Sequence, residues 1–281
     1  MKNKALLVGI NQYPDPRNEL RGCINDINDM FHFITQINPV YQKEQVKTLT
    51  NRQATKKGIV ENLKWLLEEL QAGDQILFHY SGHGAQMPTQ HPALEKDGND
   101  EIICPYDFDW TAATTLRDKE FAEIFKAIPN GVHFVWISDS CHAEDLSRDP
   151  MDQSNRYRFI NRPAHFIPSI DTFSINEPSN ATIAPTTLLV PPIESSSHPI
   201  NQPLNGALLS ACASDQVSAD AYIDNRFNGA FTYYLLKNLK AHDKQMPMNE
   251  LIKLVNADLG KNGYEQAPQI EGKLETVSFF I

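Results

Sequence analysis

The chain of 281 residues, 41% of them hydrophobic, is long and apolar enough for one large domain or two small ones, which excludes a disordered chain. Its formal net charge of −10, from 35 acidic and 25 basic residues, argues against a nucleic-acid backbone or an anionic membrane as the main partner. The same charge would attract a cationic substrate.

The N-terminal sequence MKNKALLVGINQY contains an apolar stretch that is too short for a signal peptide. No run approaches the roughly 18 apolar residues of a membrane span. The four cysteines are scattered without paired spacing, and we expect them to stay reduced. We therefore expect a cytoplasmic monomer that binds neither nucleic acid nor a membrane.

Strand-like and helix-like patterns alternate in the first half of the chain. Apolar runs predict strands at residues 4–10, 44–50, 75–80 and 132–138. Helical spacing of apolar residues predicts helices at residues 23–37, from Thr55 to about Leu70, and at 116–128. This alternation predicts a parallel sheet with helices on both faces, and ligands in such sheets bind beyond the carboxyl ends of the strands.

Residues 144–204 differ from the rest of the chain, because they hold half of its 18 prolines and only short apolar pieces. They predict a long irregular connection, which is either a surface loop or a functional segment. Regular patterns return with a predicted strand at residues 206–213, helices at 230–239 and 248–259, and a terminal strand at 275–281.

Two of the predicted buried strands end abruptly in small and polar residues. Residues 78–84 read FHYSGHG, and residues 136–142 read WISDSCH. Because the carboxyl ends of neighbouring parallel strands meet at one edge of a sheet, we expect His83 and Cys141 to lie close together.

His83 is flanked by two glycines, which favours a tight turn where the backbone N–H of Gly84 can approach a ligand closely. Two other interpretations are open. His79 and His83 have the spacing of a helical zinc site, although Ser81, Gly82 and the glycine that follows disfavour a helix there. The second interpretation is that His83 is a purely structural histidine in a glycine turn.

Cys141 taken alone has an ordinary explanation as a small buried hydrophobic residue at a strand end. A thiol needs a base to act as a nucleophile at neutral pH, because its unperturbed pKa is about 8.5. The number of residues between His83 and Cys141 is close to the roughly 50 that separate His from Cys in caspase-type proteases. The pair is therefore a candidate for nucleophilic catalysis.

Several motifs along nearly the whole chain resemble those of the metacaspases, which are clan CD cysteine peptidases of family C14 related to caspases. The matching stretches are LLVGINQY, LRGCINDINDM, HYSGHG, DGNDEIICPYD, SDSCHAED, LSACASDQVSAD, GAFTYYLL and QAPQIEG. The arrangement of the chain, with the large-subunit half before the small-subunit half, resembles that of the short forms called orthocaspases. The resemblance implies a caspase-like (caspase-hemoglobinase) α/β fold, whose central sheet is mixed and mostly parallel with helices on both faces.

The resemblance also implies a division of the chain into three parts. Residues 1–143 would be the large-subunit-like (p20) part, 144–204 an irregular linker, and 205–281 the small-subunit-like (p10) part, all within one peptidase domain.

Catalytic roles follow from the resemblance. Cys141 would be the nucleophile, His83 the general base and acid, and the backbone N–H groups of Gly84 and Cys141 the oxyanion hole. His142 would point the other way on an extended chain, so we do not expect it to be catalytic.

The same resemblance places four residues in the pocket for the substrate residue before the cut: Cys23, Asp26, Ser81 and Asp139. Read singly, Asp26 would be an acid on a helix surface and Asp139 a turn residue. Together, two carboxylates suit the planar guanidinium of Arg, or Lys as a point charge, rather than the Asp preferred by true caspases.

The family commonly binds calcium through four carboxylates, at positions that here hold Asp100, Arg117, Asp118 and Arg148. Ca²⁺ takes about six to eight oxygen ligands and does not tolerate cations among them. We therefore expect the site to be lost or rebuilt from Asp145 and Asp149, and we expect no cofactor to be required.

The predicted linker carries arginines that an Arg-specific enzyme could cut. Arg148, Arg156 and Arg158 are the candidates for self-cleavage, whereas Arg162 is disfavoured by the proline that follows it. The expected function is a self-processing cysteine endopeptidase that cleaves proteins or peptides after Arg or Lys. The alternatives are a catalytically idle interaction module and another Cys/His hydrolase of the legumain or separase type.

Overall fold

The computed structural model describes residues 1–89, 98–141, 156–163, 204–242 and 245–281. His142, Asp145, Arg148 and Asp149 lie outside these ranges. None of the helices in these ranges is long and apolar enough to cross a membrane.

The described residues contain twelve strands and five α-helices. In chain order the strands are β1 Asn3–Gly9, β2 Val46–Thr50, β3 Gln75–Ser81, β4 Gly84–Pro88, β5 Asn99–Ile103, β6 Leu116–Arg117, β7 His133–Asp139, β8 Arg156–Tyr157, β9 Ala207–Ser210, β10 Ala219–Ile223, β11 Arg226–Gly229 and β12 Gln269–Gly272. The helices are α1 Cys23–His32, α2 Lys56–Leu67, α3 Asp118–Phe125, α4 Ala230–Ala241 and α5 Met248–Lys261.

Six strands form the central sheet in the order β12-β9-β7-β3-β1-β2. Every neighbouring pair is parallel except β12 with β9. The predicted mixed, mostly parallel sheet is therefore confirmed. It contains strands from both sides of the Pro-rich region 144–204.

Alternate side chains of the sheet supply two separate cores. In β1, Ala5 and Leu7 belong to one core with residues of α1, α4 and α5. Leu6 and Val8 point to the opposite face and pack with residues of α2 and α3. Because both faces are covered, the central strands read as continuous apolar runs, which is why they were visible in the sequence.

The local sequence also accounts for helix boundaries. The Oγ1 atom of Thr55 accepts a hydrogen bond from the N–H of Gly58 and caps α2, as expected for Thr just before a helix. The predicted helix 23–37 is α1 followed by one wider π-type turn, Phe33–Ile37.

The predicted terminal strand at residues 275–281 is wrong. Only an isolated bridge between Ser278 and Pro247 forms there, and the edge of the sheet is taken by β12. Phe279 and Phe280 are both buried in the same core, whereas consecutive side chains of a strand point to opposite faces.

Two small sheets, which the sequence did not predict, surround the carboxyl ends of β3 and β7. One has the order β4-β5-β6 and the other β11-β10-β8. The two-residue strand β8 belongs to the stretch that was expected to be irregular, and its pairing with β10 carries the chain past the end of the sheet.

Candidate active site

The two candidate catalytic residues stand at equivalent places on neighbouring strands. β3 and β7 are parallel, with Ser81 paired to Asp139, so His83 and Cys141 each follow two residues beyond a paired position. This register places both residues just beyond the same edge of the sheet, as expected from the two strand-end motifs.

The imidazole of His83 is buried and held from one side. Its Nε2 lies 2.8 Å from the carbonyl oxygen of Asn18, and its ring centroid is 4.9 Å from that of Tyr13. Because a carbonyl oxygen can only accept, Nε2 carries the proton and Nδ1 is the free base. Nδ1 has no hydrogen-bond partner among the described residues. Burial lowers the pKa of His83 to about 4, so the ring is neutral at pH 7.

Cys141 is fully buried. Its thiol donates to the carbonyl oxygen of Ser218 at 3.9 Å and packs with Cys212 and Val217. Burial raises the pKa of the Cys141 thiol to about 12. The sulfur therefore holds its proton in this arrangement.

Residues 156–160, here termed the seated segment, lie across these two side chains. The carbonyl oxygen of Arg158 accepts hydrogen bonds from the backbone N–H of Gly84 at 2.9 Å and of Cys141 at 3.2 Å. Further backbone hydrogen bonds join Arg158 N to Ser218 O at 3.1 Å and Ile160 N to Gly84 O at 3.0 Å. The segment is thus held by its backbone on both sides of residue 158.

The side chain of Arg158 enters a closed pocket, where it is fully buried. Its Nη1 lies 2.7 Å from Ser81 Oγ and 3.0 Å from Asp139 Oδ1. Its Nη2 lies 2.7 Å from Asp26 Oδ2 and 3.2 Å from Asp220 Oδ1. Three of the four residues expected in the pocket therefore contact one guanidinium directly.

Cys23, the fourth expected pocket residue, is buried next to this cluster. Burial raises the pKa of its thiol, and the nearby positive charge of Arg158 opposes that shift. Cys23 therefore contributes an uncharged thiol to the pocket region.

Neighbouring polar groups fix the two expected carboxylates. Asp139 accepts hydrogen bonds from Thr232 Oγ1 at 2.6 Å and Ser218 Oγ at 2.9 Å. Asp26 accepts from the backbone N–H of Gly229 at 2.8 Å. Burial raises the pKa of Asp26 to about 6, although the positive charge of Arg158 acts in the opposite direction.

Asp26 is therefore a buried pocket residue and not an acid on a helix surface. Gly229 forms part of the pocket wall, because a Cβ atom there would lie 2.3 Å from Asp139 Oδ2 and 2.6 Å from Arg158 Nη1. A side chain at this position would displace the guanidinium.

Five residues that shape this site were not predicted from the sequence: Asn18, Ser218, Asp220, Gly229 and Thr232. The last four stand in or next to the stretches LSACASDQVSAD and GAFTYYLL, which were recognised only as matching motifs. An acid and two hydroxyl residues in those stretches were the available signal. Asn18 acts through its backbone carbonyl, so its residue type carries no signal.

The histidine pair that suggested a helical zinc site does not have that geometry. His79 lies on strand β3 and its Nε2 is 3.4 Å from Thr232 Oγ1. Burial lowers the pKa of His79 to about 4. Within the described ranges, no group of three or more His, Cys, Asp and Glu side chains is arranged to hold a metal ion.

Asp100, which the family resemblance assigns to calcium, is instead enclosed by cations. One carboxylate oxygen is 2.5 Å from Arg117 Nη1, and the other is hydrogen bonded to Lys119 Nζ. Arg117 also lies 3.4 Å from the carbonyl oxygen of Pro88, and Lys119 lies 3.3 Å from Thr89 Oγ1. These residues do not fit a calcium ion, because two positive groups occupy the oxygens that would bind it.

Asp118 is the first residue of α3, between Arg117 and Lys119 in sequence. The remaining residues considered for calcium, Asp145, Arg148 and Asp149, lie outside the described ranges.

Comparisons with known proteins give the same family across the chain. The Caspase domain family matches residues 2–279. Metacaspase-1 of Meyerozyma guilliermondii is 31% identical over 96% of this chain and 69% of its own length. Metacaspase-1A of Aspergillus niger is 31% identical over 96% of this chain and 70% of its own length.

A solved structure supports the fold. The crystal structure of a Geobacter sulfurreducens protein superposes with a TM-score of 0.68 at 23% identity, covering 100% of this chain and 99% of the other. At that identity the likeness concerns the fold alone. Taken with the family match and the identity to fungal metacaspases, it leads to one conclusion: the chain belongs to the caspase-domain peptidases of family C14, among the metacaspases, and is a caspase-like cysteine peptidase.

Proposed function

We propose that the protein is a cysteine endopeptidase that cleaves after Arg and that cuts its own chain after Arg158. The observation that carries the proposal is the double engagement of this residue. Its carbonyl oxygen accepts hydrogen bonds from two backbone N–H groups, at Gly84 and Cys141, while its guanidinium is buried against Asp26 and Asp139. A substrate residue before a scissile bond requires both kinds of contact at once.

In this proposal Cys141 Sγ attacks the carbonyl carbon of Arg158. With the segment seated, the thiol pKa is raised to about 12 and that of the His83 imidazole is lowered to about 4, so both groups start neutral. The sulfur must therefore lose its proton as it attacks. For this the thiol turns from the Ser218 carbonyl toward Nδ1 of His83, which is the base that receives the proton. The Asn18 carbonyl, by accepting from Nε2, keeps the ring in the tautomer that can do so.

Charge then develops on the carbonyl oxygen of Arg158. The N–H groups of Gly84 and Cys141 already point at that oxygen, at 2.9 and 3.2 Å, so little reorganisation is needed to stabilise the oxyanion. Protonated His83 next gives its proton to the backbone nitrogen of Phe159, which leaves as an amine. The thioester between Cys141 and Arg158 is then hydrolysed by water, which regenerates the thiol and leaves a carboxylate on Arg158.

The pocket accounts for the proposed specificity. Buried carboxylates on two sides of the side chain favour a cation and would repel an Asp side chain. Arg or Lys is therefore the expected residue before the cut in protein substrates. One chain supplies every group named, and the proposed reaction requires no metal or other cofactor.

The intact mass of purified protein tests self-cleavage directly. We expect wild-type protein to give two fragments, residues 1–158 and 159–281, that stay associated through the shared central sheet. Cys141→Ala, His83→Ala and Arg158→Gln should each remain a single chain. Cys212→Ala is the matched control for a buried thiol in the same cluster, and it should still be cut.

Arg156→Gln separates the two arginines of the seated segment. We expect this variant to be cut normally, because the pocket contacts belong to Arg158. A cut after Arg156, or equal cutting of Cys141→Ala, would contradict the proposed site.

Cleavage in trans separates the alternatives. Fluorogenic peptides with Arg, Lys or Asp before the cut should be hydrolysed in the first two cases and not in the third. An idle interaction module would hydrolyse none of them, and another class of Cys/His hydrolase would prefer a different residue.

A further inference from the structure

A third carboxylate reaches the guanidinium of Arg158. Asp220 lies on β10, is fully buried, and places Oδ1 3.2 Å from Arg158 Nη2. We infer that Asp220 makes the pocket selective for Arg over Lys. The inference rests on the proposed function and adds to it the residue that distinguishes two cationic substrates.

Asp220 is held by backbone hydrogen bonds that do not involve the guanidinium. Its Oδ2 accepts from the backbone N–H of Arg21 at 2.8 Å, and its Oδ1 accepts from that of Gly22 at 2.9 Å. A Cβ atom on Gly22 would lie 2.5 Å from Oδ1, so this close approach needs a glycine. These two residues immediately precede α1, which carries Asp26. The two carboxylates that face Nη2 are thereby held relative to one another.

All the acceptors of the pocket lie at the outer end of the guanidinium. Nη1 meets Ser81 and Asp139, and Nη2 meets Asp26 and Asp220. The Nε atom of Arg158, closer to the backbone, has no hydrogen-bond partner among the described residues. The depth and width of the pocket therefore match the two terminal nitrogens of Arg.

A Lys side chain ends in a single nitrogen, which would lie near the position of the guanidinium carbon in an Arg of the same backbone placement. One nitrogen cannot occupy the Nη1 and Nη2 positions together. Asp220 makes the longest of the five contacts with the guanidinium, so it is the group that an ammonium would be least able to engage. Removing its charge should therefore weaken Arg binding much more than Lys binding.

A merely structural role for Asp220 makes a different prediction. If the carboxylate served only to hold Arg21 and Gly22, its loss would lower stability and reduce cleavage of Arg and Lys peptides by the same factor. The ratio of the two rates is consequently the decisive measurement.

The test uses two fluorogenic peptides that differ only in Arg or Lys before the cut. In wild-type protein we expect kcat/KM for Arg to exceed that for Lys at least about tenfold. In Asp220→Asn the Arg value should fall about 10- to 100-fold, mainly through KM, and the Lys value should change less than about threefold. Asp29→Asn, the same charge change at a half-buried residue of α1 that pairs with Arg226 and does not contact Arg158, should leave both values near wild type.

Asp220→Glu provides a second variant that keeps the charge but moves it by one methylene, and thermal melting of each variant reports folding. Equal losses for Arg and Lys in folded Asp220→Asn or Asp220→Glu would overturn the inference, as would a wild-type Arg-to-Lys ratio near one. A wild-type ratio near one would overturn the inference even if both variants fail to fold.

A binding experiment keeps this inference separate from the proposed function. The uncut double variant Cys141→Ala/Arg158→Gln can be titrated with arginine amide and with lysine amide in a calorimeter. We expect tighter binding of arginine amide even if no peptide is ever cleaved. Equal affinities would overturn the role of Asp220, whereas absence of cleavage alone would overturn only the peptidase assignment.

Discussion

Two clusters of opposite charges, one in the pocket beyond the ends of β3 and β7 and one around Asp100 on β5, balance charge in different ways. In the pocket cluster, three carboxylates, of Asp26, Asp139 and Asp220, surround one guanidinium. In the Asp100 cluster, two cationic side chains share one carboxylate. The first arrangement has more carboxylates than cations and attracts a cation, whereas in the second both oxygens of the carboxylate are already engaged by cations of the described ranges.

The clusters also differ in where their cations come from. Arg117 and Lys119 lie at the join between β6 and α3, so they stay within the folded domain. Arg158 belongs to the seated segment, which is anchored by backbone hydrogen bonds to the ends of other strands. Under the proposed function the pocket cation is exchanged for a substrate, whereas the cations of the Asp100 cluster stay in place.

Removal of one pocket carboxylate should have the largest effect. Asp139→Ala removes one of the buried carboxylates that offset the positive charge of an Arg side chain in the pocket, at a cost of about 2–5 kcal/mol in transition-state binding. We expect kcat/KM for an Arg peptide to fall by a factor on the order of 10² or more, measured with the fluorogenic peptide.

The Asp100 cluster supplies the matched comparison. Asp100→Asn removes a buried carboxylate as well, and we expect it to lower the melting temperature while kcat/KM changes less than about threefold. Equal losses of activity in the two variants would show that the clusters are not functionally distinct.

The seated segment should also act as a tethered competitor for the pocket. In uncut Cys141→Ala protein, Arg158 is present at an effective concentration on the order of millimolar. Releasing it in Cys141→Ala/Arg158→Gln should tighten the binding of acetyl-Tyr-Arg-amide at least about tenfold in a calorimetric titration. Cys141→Ala/Arg156→Gln, which keeps the buried arginine, should bind the peptide as weakly as Cys141→Ala does.

The sequence was sufficient to place His83 and Cys141 beyond the ends of neighbouring strands, because each follows a strand whose apolar run is local and continuous. It could not choose between Arg156 and Arg158, which differ by two positions in the same short stretch. Only the path of the chain past β10 and Gly84 decides which of them enters the pocket. That path depends on tertiary contacts that no local pattern records.

The other features that the sequence did not predict also depend on contacts between distant parts of the chain. Asp220 lies 198 residues from Gly22 in the chain and meets it only in the folded protein. Lys119 occupies the Asp100 cluster because α3 packs beside β5, although its own position showed no sign of this role. Phe279 and Phe280 resembled a strand in sequence, but burial of both rings in one core decided their conformation.

The dependence of stability on pH should differ between the buried groups around the pocket and Asp100, and this effect is smaller than the preceding ones. Burial lowers the pKa of His83 and of His79 to about 4. As pH falls from 6.5 to 4, these histidines therefore become protonated in the unfolded chain but stay neutral in the folded chain, and the folded state loses stability. Burial raises the pKa of Asp26 to about 6, which favours the folded state as pH falls through the same window and offsets part of that loss.

In Cys141→Ala we therefore expect the free energy of unfolding, measured with urea, to rise between pH 4 and 6.5. His83→Asn in this background should show a shallower rise. For Asp100, burial acts to raise the pKa, but hydrogen bonds from Lys119 and other neighbours outweigh it and lower the pKa below its usual 3.8. Its contribution is therefore lost only at still lower pH, and an unchanged slope in the His83 variant would contradict this assignment.

The smallest expected effect is that of calcium. A calcium ion at Asp100 would have to displace Arg117 from one oxygen and Lys119 from the other, and would gain one carboxylate while facing two cations. Excess EGTA should therefore leave both self-cleavage and peptide hydrolysis at the wild-type rate, and millimolar Ca²⁺ should shift the melting temperature by less than about 1 °C. Asp118→Asn serves as the control for general electrostatic effects of the ion, and it should respond in the same way as wild type. A saturable activation of the wild-type enzyme by Ca²⁺ that disappears in Asp100→Asn would show that Asp100 exchanges its cations for calcium. The contrast between a replaceable cation in the pocket and permanent cations at Asp100 would then be wrong.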